Sequence, residues 1–210
     1  MSTVATPRHD PPVQTIAYEL HGNCYLNITN RCTLRCAFCP KFNRQWDVQS
    51  YALRLRREPT VAELTAAVGE PGRYRQVVFC GLGEPTLRWR VLKETAERLQ
   101  GHGASVRVNT DGLGNLVHGR DLTPELRGRV QALSISLNAQ DEATYNRHCR
   151  PLRKGSYGAV LEFIARARKY VDQVTVTAID GLDGVDIDAC RDIAARLGVT
   201  FRRRVLDQVG

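Results

Sequence analysis

The stretch "CYLNITNRCTLRCAFCP", residues 24–40, decides how this chain is read. Its first six residues, 24–29, have the short apolar character of a β-strand, and a cysteine loop follows at once. Cys32, Cys36 and Cys39 are spaced C-x3-C-x2-C. Structural zinc normally takes four protein ligands, as does an iron–sulfur cluster held purely by protein. Three thiolates leave one coordination position open, and open positions are where metal sites do chemistry.

Outward from this loop, short apolar runs alternate with segments of helical period, the pattern of β/α units around a parallel sheet. Further strands are expected at 76–81, 104–110, 130–138, 173–179 and 199–204. A helix over "VAELTAAV" is announced by Thr60 and Glu63 in capping-box spacing. The next helix carries Leu87, Val91, Leu92, Ala96 and Leu99 on one face, with Gly101 as C-cap. A short helix opens at "TPEL", another carries Val160, Phe163, Ile164, Ala167 and Val171, and a last one runs from Asp186 and Asp188 to Gly198. Six such units are too few for a closed eight-stranded barrel of roughly 250 residues. An open sheet and an incomplete barrel both fit, and in both, ligands sit at the carboxyl ends of the strands.

The polar peculiarities gather at those ends. Strand two runs into "GLGEPT" (81–86), strand three into "NTDGLGN" (109–115) and strand four into "SLN" (136–138). Glycines there would let a ligand approach the backbone. Glu84 could accept from an ammonium group, and Asn109, Ser136 and Asn138 could bond hydroxyls such as those of a ribose. Loops are rich in Gly, Asn and Asp for turn chemistry in any case, so the concentration at one end of several strands is the signal.

The chain has 210 residues with a formal net charge of +8, and no apolar run nears the roughly 20 residues that span a bilayer. Residues 1–15 are polar and proline-bearing without a secretory h-region, and are expected to be a disordered lead-in to a core domain at 16–210. The expected location is cytoplasmic, with no membrane partner. Of the seven cysteines only three cluster, which points to a metal or catalytic role and not to a disulfide framework. Cys24 and Cys80 read as small core residues, and Cys149 lies near a loop. The basic groups, among them Arg54, Arg56 and Arg57 and Arg202 to Arg204, suit nucleic acid, phosphorylated substrates or an acidic partner, and equally suit solvated faces.

The cysteine loop with Phe38 before its third cysteine, together with "GLGEP", resembles the radical S-adenosylmethionine (SAM) superfamily over roughly residues 23–204. Within it, "LNITNRCTLRCAFC", "VVFCGLGEPTLR" and "VRVNTDGLGNLVHGRDLTPEL" resemble a small group named for its association with TatD-type nucleases. The resemblance implies a partial (β/α)6 TIM-like barrel with a parallel six-stranded sheet. It implies a [4Fe-4S] cluster on Cys32, Cys36 and Cys39, and SAM on the open iron. Reductive cleavage would give a 5′-deoxyadenosyl radical that abstracts a substrate hydrogen, with an electron donor such as flavodoxin or ferredoxin. Phe38 would lie near the adenine or cluster, and Gly83, Glu84 and Pro85 would receive the methionine amino group. Ser136 and Asn138 would contact SAM, Asn109 and Asp111 would contact SAM or substrate, and Ala178 would offer backbone contacts to adenine.

A substrate such as a protein or RNA could cover the barrel mouth itself. A small molecule would require loop 40–59, with Trp46 and Tyr51, to close over it. The competing reading is a zinc-stabilised nucleic-acid-binding module without catalysis, with His148 or His21 as fourth ligand; it leaves "GLGEP" unexplained.

Overall fold

The computed structural model describes residues 14–206. Strands β1 (Ala17–Leu20) and β2 (Asn23–Leu26) form an antiparallel hairpin whose turn places His21 and Gly22 at positive φ. A second, two-stranded hairpin of β3 (Asp47–Val48) and β4 (Tyr51–Ala52) precedes helix α1 (Val61–Val68). The chain continues through β5 (Val77–Phe79), α2 (Trp89–Gly101), β6 (Val106–Thr110), α3 (Gly114–His118) and β7 (Ala132–Ser136). It then runs through α4 (Glu142–Cys149), α5 (Ser156–Ala167), β8 (Gln173–Asp180), α6 (Ile187–Leu197) and β9 (Thr200–Val205).

The main sheet has seven strands in the order β1-β2-β5-β6-β7-β8-β9. All neighbours from β2 to β9 are parallel, so the six expected strands form the partial barrel and β1 adds an antiparallel edge. Two elements go beyond the expectation. Strand β1 falls in "AYEL", just inside the expected core boundary; most of the expected lead-in lies outside the described residues. Helix α4 is capped by Asp141, whose side chain accepts from Thr144 N, a start signal the apolar pattern alone did not show. Conversely, "TPEL" forms a 3-10 turn at Thr123–Leu126.

Strand residues alternate in direction. Val77, Phe79, Val106, Val108, Leu133 and Ile135 pack with the helices in the apolar core, joined by Val160, Phe163 and Ile164 of α5 and Leu92, Ala96 and Leu99 of α2. The opposite face mixes polar residues, Arg107 and Asn109 on β6, Ser134 and Ser136 on β7, Thr175 and Thr177 on β8, with the apolar Val78, Ala132 and Ile179. One face therefore holds the sheet together and the other is available to bind. Loop 40–59 is fastened down. Leu53 and Leu55 are buried, Asn27 Nδ2 donates to Leu53 O at 2.8 Å, and Asn30 Nδ2 donates to Leu55 O at 2.7 Å. Tyr51 packs against Tyr18 at 5.2 Å, and Trp46 lies under Arg54 at 5.4 Å, so these aromatics serve packing.

Outside the barrel mouth, Glu125 ties the 3-10 turn to α2. It accepts from Lys93 Nζ at 2.5 Å and Trp89 Nε1 at 3.2 Å, and pairs with Arg120. Burial opposes its charge, but these donors outweigh it and hold its pKa at about 2. A depressed carboxylate stabilises the fold above its unfolded pKa, roughly 4.3, and loses that contribution as pH falls through the folded value. Glu125→Gln should cost about 1 kcal/mol at neutral pH. In denaturant titrations the gap to the parent should close between about pH 4 and pH 2.

Candidate cluster and cofactor site

The cysteine loop follows β2 and is braced from two sides. The turn after α4 holds one side: Arg35 N donates to Cys149 O at 3.1 Å, Ala37 N to His148 O at 2.8 Å, and Leu152 N to Thr33 O at 3.1 Å. The loop is closed internally by Cys39 N to Cys36 O at 3.1 Å, and Pro40 starts a 3-10 turn that ends it. Cys36 is buried, Cys32 and Cys39 are partly so, and Phe38 packs against the core beside them.

The other brace is Glu84. Its buried carboxylate accepts from Thr86 N at 2.9 Å, Thr86 Oγ1 at 2.6 Å, Thr110 Oγ1 at 2.8 Å and Asp111 N at 2.7 Å. Asp111 in turn accepts from Leu113 N at 2.9 Å and from the hydroxyl of Thr33, inside the cysteine loop. Burial, reinforced by the Glu84 charge, holds the Asp111 carboxyl well above the usual carboxylate range. The glycines of "GLGEP" serve the same junction. A Cβ on Gly83 would stand 2.1 Å from Thr29 O, and one on Gly81 would stand 2.3 Å from Asn27 Oδ1. Glu84 N donates to Arg31 O at 2.7 Å. The close approach these glycines permit is that of residues 27–31, and Pro85 opens the 3-10 turn that follows.

The remaining expected residues lie along the strand ends. Asn109 and Ser136 are half-buried, and Asn138 is buried at φ 63° with its N–H on Thr177 O at 3.0 Å. The side-chain oxygens of Asn109 and Asn138 are both buried without a partner among the described residues. Ala178 faces the apolar core, so only its backbone is offered to a ligand. Three residues near the loop were not read as functional. Thr33 is the link to Asp111. The buried Cys149 thiol, free like that of Cys36, lies in hydrogen-bonding contact with it and accepts from Asn138 Nδ2 at 3.4 Å. Tyr145 is fully buried near Cys149, Asp111, Cys36 and Cys32, its hydroxyl without a partner among the described residues. No sequence signal separated Tyr145 from a core aromatic. Cys80 departs from its core reading: it stays outside the apolar cluster, beside Asn109, Arg107 and Arg204.

The zinc reading lacks its fourth ligand. His148 Nε2 is engaged by Asp183 O at 2.7 Å, and His21 sits in the β1–β2 turn. Among the described residues no three His, Cys, Asp or Glu side chains converge as a single ion requires. The family model of the radical SAM superfamily matches residues 26–197. The chain belongs to the radical SAM superfamily. It is 30% identical over 138 residues to a probable dual-specificity RNA methyltransferase RlmN of Acidothermus cellulolyticus, covering 60% of this chain and 32% of that protein. TYW1 with a lysine-pyruvate adduct is similar at 17% identity and TM-score 0.64, over 90% of this chain and 66% of that one. Streptococcus suis SuiB bound to S-adenosylmethionine is similar at 10% identity and TM-score 0.63, over 88% of this chain and 40% of SuiB. The chain thus spans about a third of the methyltransferase and two thirds of TYW1.

Members of this superfamily use a [4Fe-4S] cluster and SAM, and the residues fit both. Three free thiols lie on one loop within electrostatic reach of one another. A four-iron cluster takes each thiolate on a different iron, so the sulfurs need not converge on one point. Burial and the neighbouring Asp111 push the Cys32 thiol up to about 12, and a bound metal would favour its thiolate. The orphaned oxygens of Asn109 and Asn138 are acceptors waiting for donors.

Because Gly83 faces backbone, Gly83→Ala should destabilise the protein even without any cofactor, by about 3 kcal/mol. That corresponds to a Tm lower by roughly 6–12 °C. Glu84→Gln should cost about 2–3 kcal/mol, since its amide must turn a donor towards another donor. Thermal melts of the metal-free variants would read both, and unchanged melts would show that these residues serve only the ligand.

Proposed function

We propose that this protein reductively cleaves SAM at a cluster held by Cys32, Cys36 and Cys39 and uses the product to take a hydrogen atom from a substrate. The observation that carries this reading is the docking of a three-thiol loop onto the strand ends where Asn109 and Asn138 present unpaired buried oxygens. The cluster, when bound, supplies an electron to the sulfonium and so a 5′-deoxyadenosyl radical. The chain supplies position. Phe38 shields the cluster loop, and the junction at Gly83, Glu84 and Pro85 fixes the loop's distance from the sheet, its backbone lying where the methionine amino group would be received. Ser136, Asn138, Asn109 and the backbone at Ala178 line the strand ends for the nucleoside, and Asp111 holds the loop through Thr33.

The electron comes from a reduced protein such as flavodoxin or ferredoxin. The substrate class we favour is a macromolecule. Support comes from the net charge of +8, from the similarity to a probable RNA methyltransferase, and from SuiB having been solved with its precursor peptide.

Anaerobic reconstitution should give about four irons and four sulfides per chain, and SAM with dithionite should yield 5′-deoxyadenosine. Both should be lost in Cys36→Ala. Zinc bound in place of iron after anaerobic loading, or a full cluster that never cleaves SAM, would overturn the reading.

A further inference from the structure

The sheet face turned away from the helices carries arginines the proposed SAM chemistry does not use. Arg107 projects from β6. Its Nε is buried without a partner among the described residues, and its Nη2 reaches Tyr25 Oη at 3.3 Å. A guanidinium N–H buried and unmade is costly, so such a donor is normally matched to an acceptor. Arg202 and Arg204 are two apart on β9 and share a face, with Arg202 beside Thr177 and Arg204 beside Ile179. Arg204 is half-buried and near enough to Cys80 and Cys36 to sense both thiols, while Arg107 and Arg204 both act on Cys80. Both guanidiniums thus stand on one sheet face within electrostatic reach of Cys80.

None of Arg107, Arg202 and Arg204 is ion-paired with a carboxylate among the described residues, although arginines elsewhere commonly are. The contrast is sharpest on β9 itself, where Arg203 on the opposite face pairs with Asp180. Burial and Arg202 lower the Arg204 pKa, the direction expected of a cation held without a counter-charge. Asp111, at the end of β6, is already held by Thr33 and Leu113.

We propose that Arg107 and Arg204, assisted by Arg202, form an oxyanion-binding cradle on the inner sheet face that takes a phosphate or carboxylate of the substrate. Two planar forks meeting from different strands suit bidentate recognition of such a group. This deepens the reading above by naming a substrate class for the same mouth, and it rests on that reading only for the identity of the reaction.

The test is a binding measurement without turnover, by calorimetry on the reconstituted protein, with inorganic phosphate and malonate as probes. One or both should bind. Arg204→Gln and Arg107→Gln should each weaken binding by tenfold or more, and Arg98→Gln, on an exposed helical pair, should leave it unchanged. The probe that binds more tightly identifies the oxyanion as phosphate or carboxylate. Saturating SAM should leave probe affinity unchanged. Equal binding in Arg204→Gln, no binding of either probe to the parent, or displacement by SAM would overturn the cradle, the last by assigning the arginines to the cofactor's own carboxylate. Should Arg107→Gln fail to fold, Arg204→Gln and Arg202→Gln carry the test. Because 5′-deoxyadenosine formation is measured separately, loss of the cradle and loss of the radical reading are distinguishable.

Discussion

The carboxylate of Glu84 is the point on which this site depends. Four donors from two strand ends converge on it: Thr86 twice, Thr110, and the backbone of Asp111. A buried carboxylate is tolerable only when its lone pairs are filled, and here they are filled by groups that must be held together for other reasons. The turn after β5 and the turn after β6 become one rigid body. Asp111 extends that body by one further bond to Thr33, so the loop that carries the thiols is fastened to the sheet through side chains as well as through the chain that leads into it. A metal cluster tolerates little error in the placement of its ligands. The cysteine loop is thus braced from Glu84, 52 residues along the chain from Cys32.

The glycines complete the same constraint from the backbone side. Gly81 and Gly83 have no Cβ because residues 27–31 occupy the space a Cβ would need. Backbone contact at this distance brings Glu84 N onto Arg31 O and closes the gap between the first and second parallel strands exactly where the cysteine loop departs. Arg88 strengthens the seam, donating to Ile28 O at 2.9 Å and Pro59 O at 2.7 Å, and Glu58 gathers Thr29, Arg31 and Arg88 at its outer edge. A glycine-rich turn at a strand end invites a ligand-binding explanation. Here the steric fact it answers to is another part of the same protein.

The parallel strands and the helices that pack on them were legible in the sequence because burial on a sheet imposes period two and burial on a helix imposes period near 3.6. Thr60 with Glu63 and Asp186 with Gly198 were legible because caps are local. Strand β1 was not, since "AYEL" is four residues long and owes its strand state to pairing with β2. Helix α4 was missed because half its length is polar. In the site, the cysteines could be found by spacing and the glutamate by its place in "GLGEP" after a strand, while Tyr145, Thr33 and Cys149 could not. Their significance lies in which residues they meet across 78 positions in one case and 113 in another, and no local pattern encodes that.

The distribution of satisfied and unsatisfied polar groups separates scaffold from binding surface. Glu84, Asp111, Thr110 and Asn30 have their hydrogen bonds inside the chain, and all of them hold one loop to another. Among the described residues Asn109, Asn138 and Arg107 retain buried atoms without partners at the strand ends and inner sheet face, as Asn27, Thr95 and Tyr145 do elsewhere. Glu84 accepts four hydrogen bonds within the chain, whereas the buried Arg107 Nε meets no acceptor among the described residues, and a bound group could complete it. The same contrast runs along β9, where Arg203 pairs with Asp180 and Arg204, on the other face, pairs with no carboxylate among the described residues.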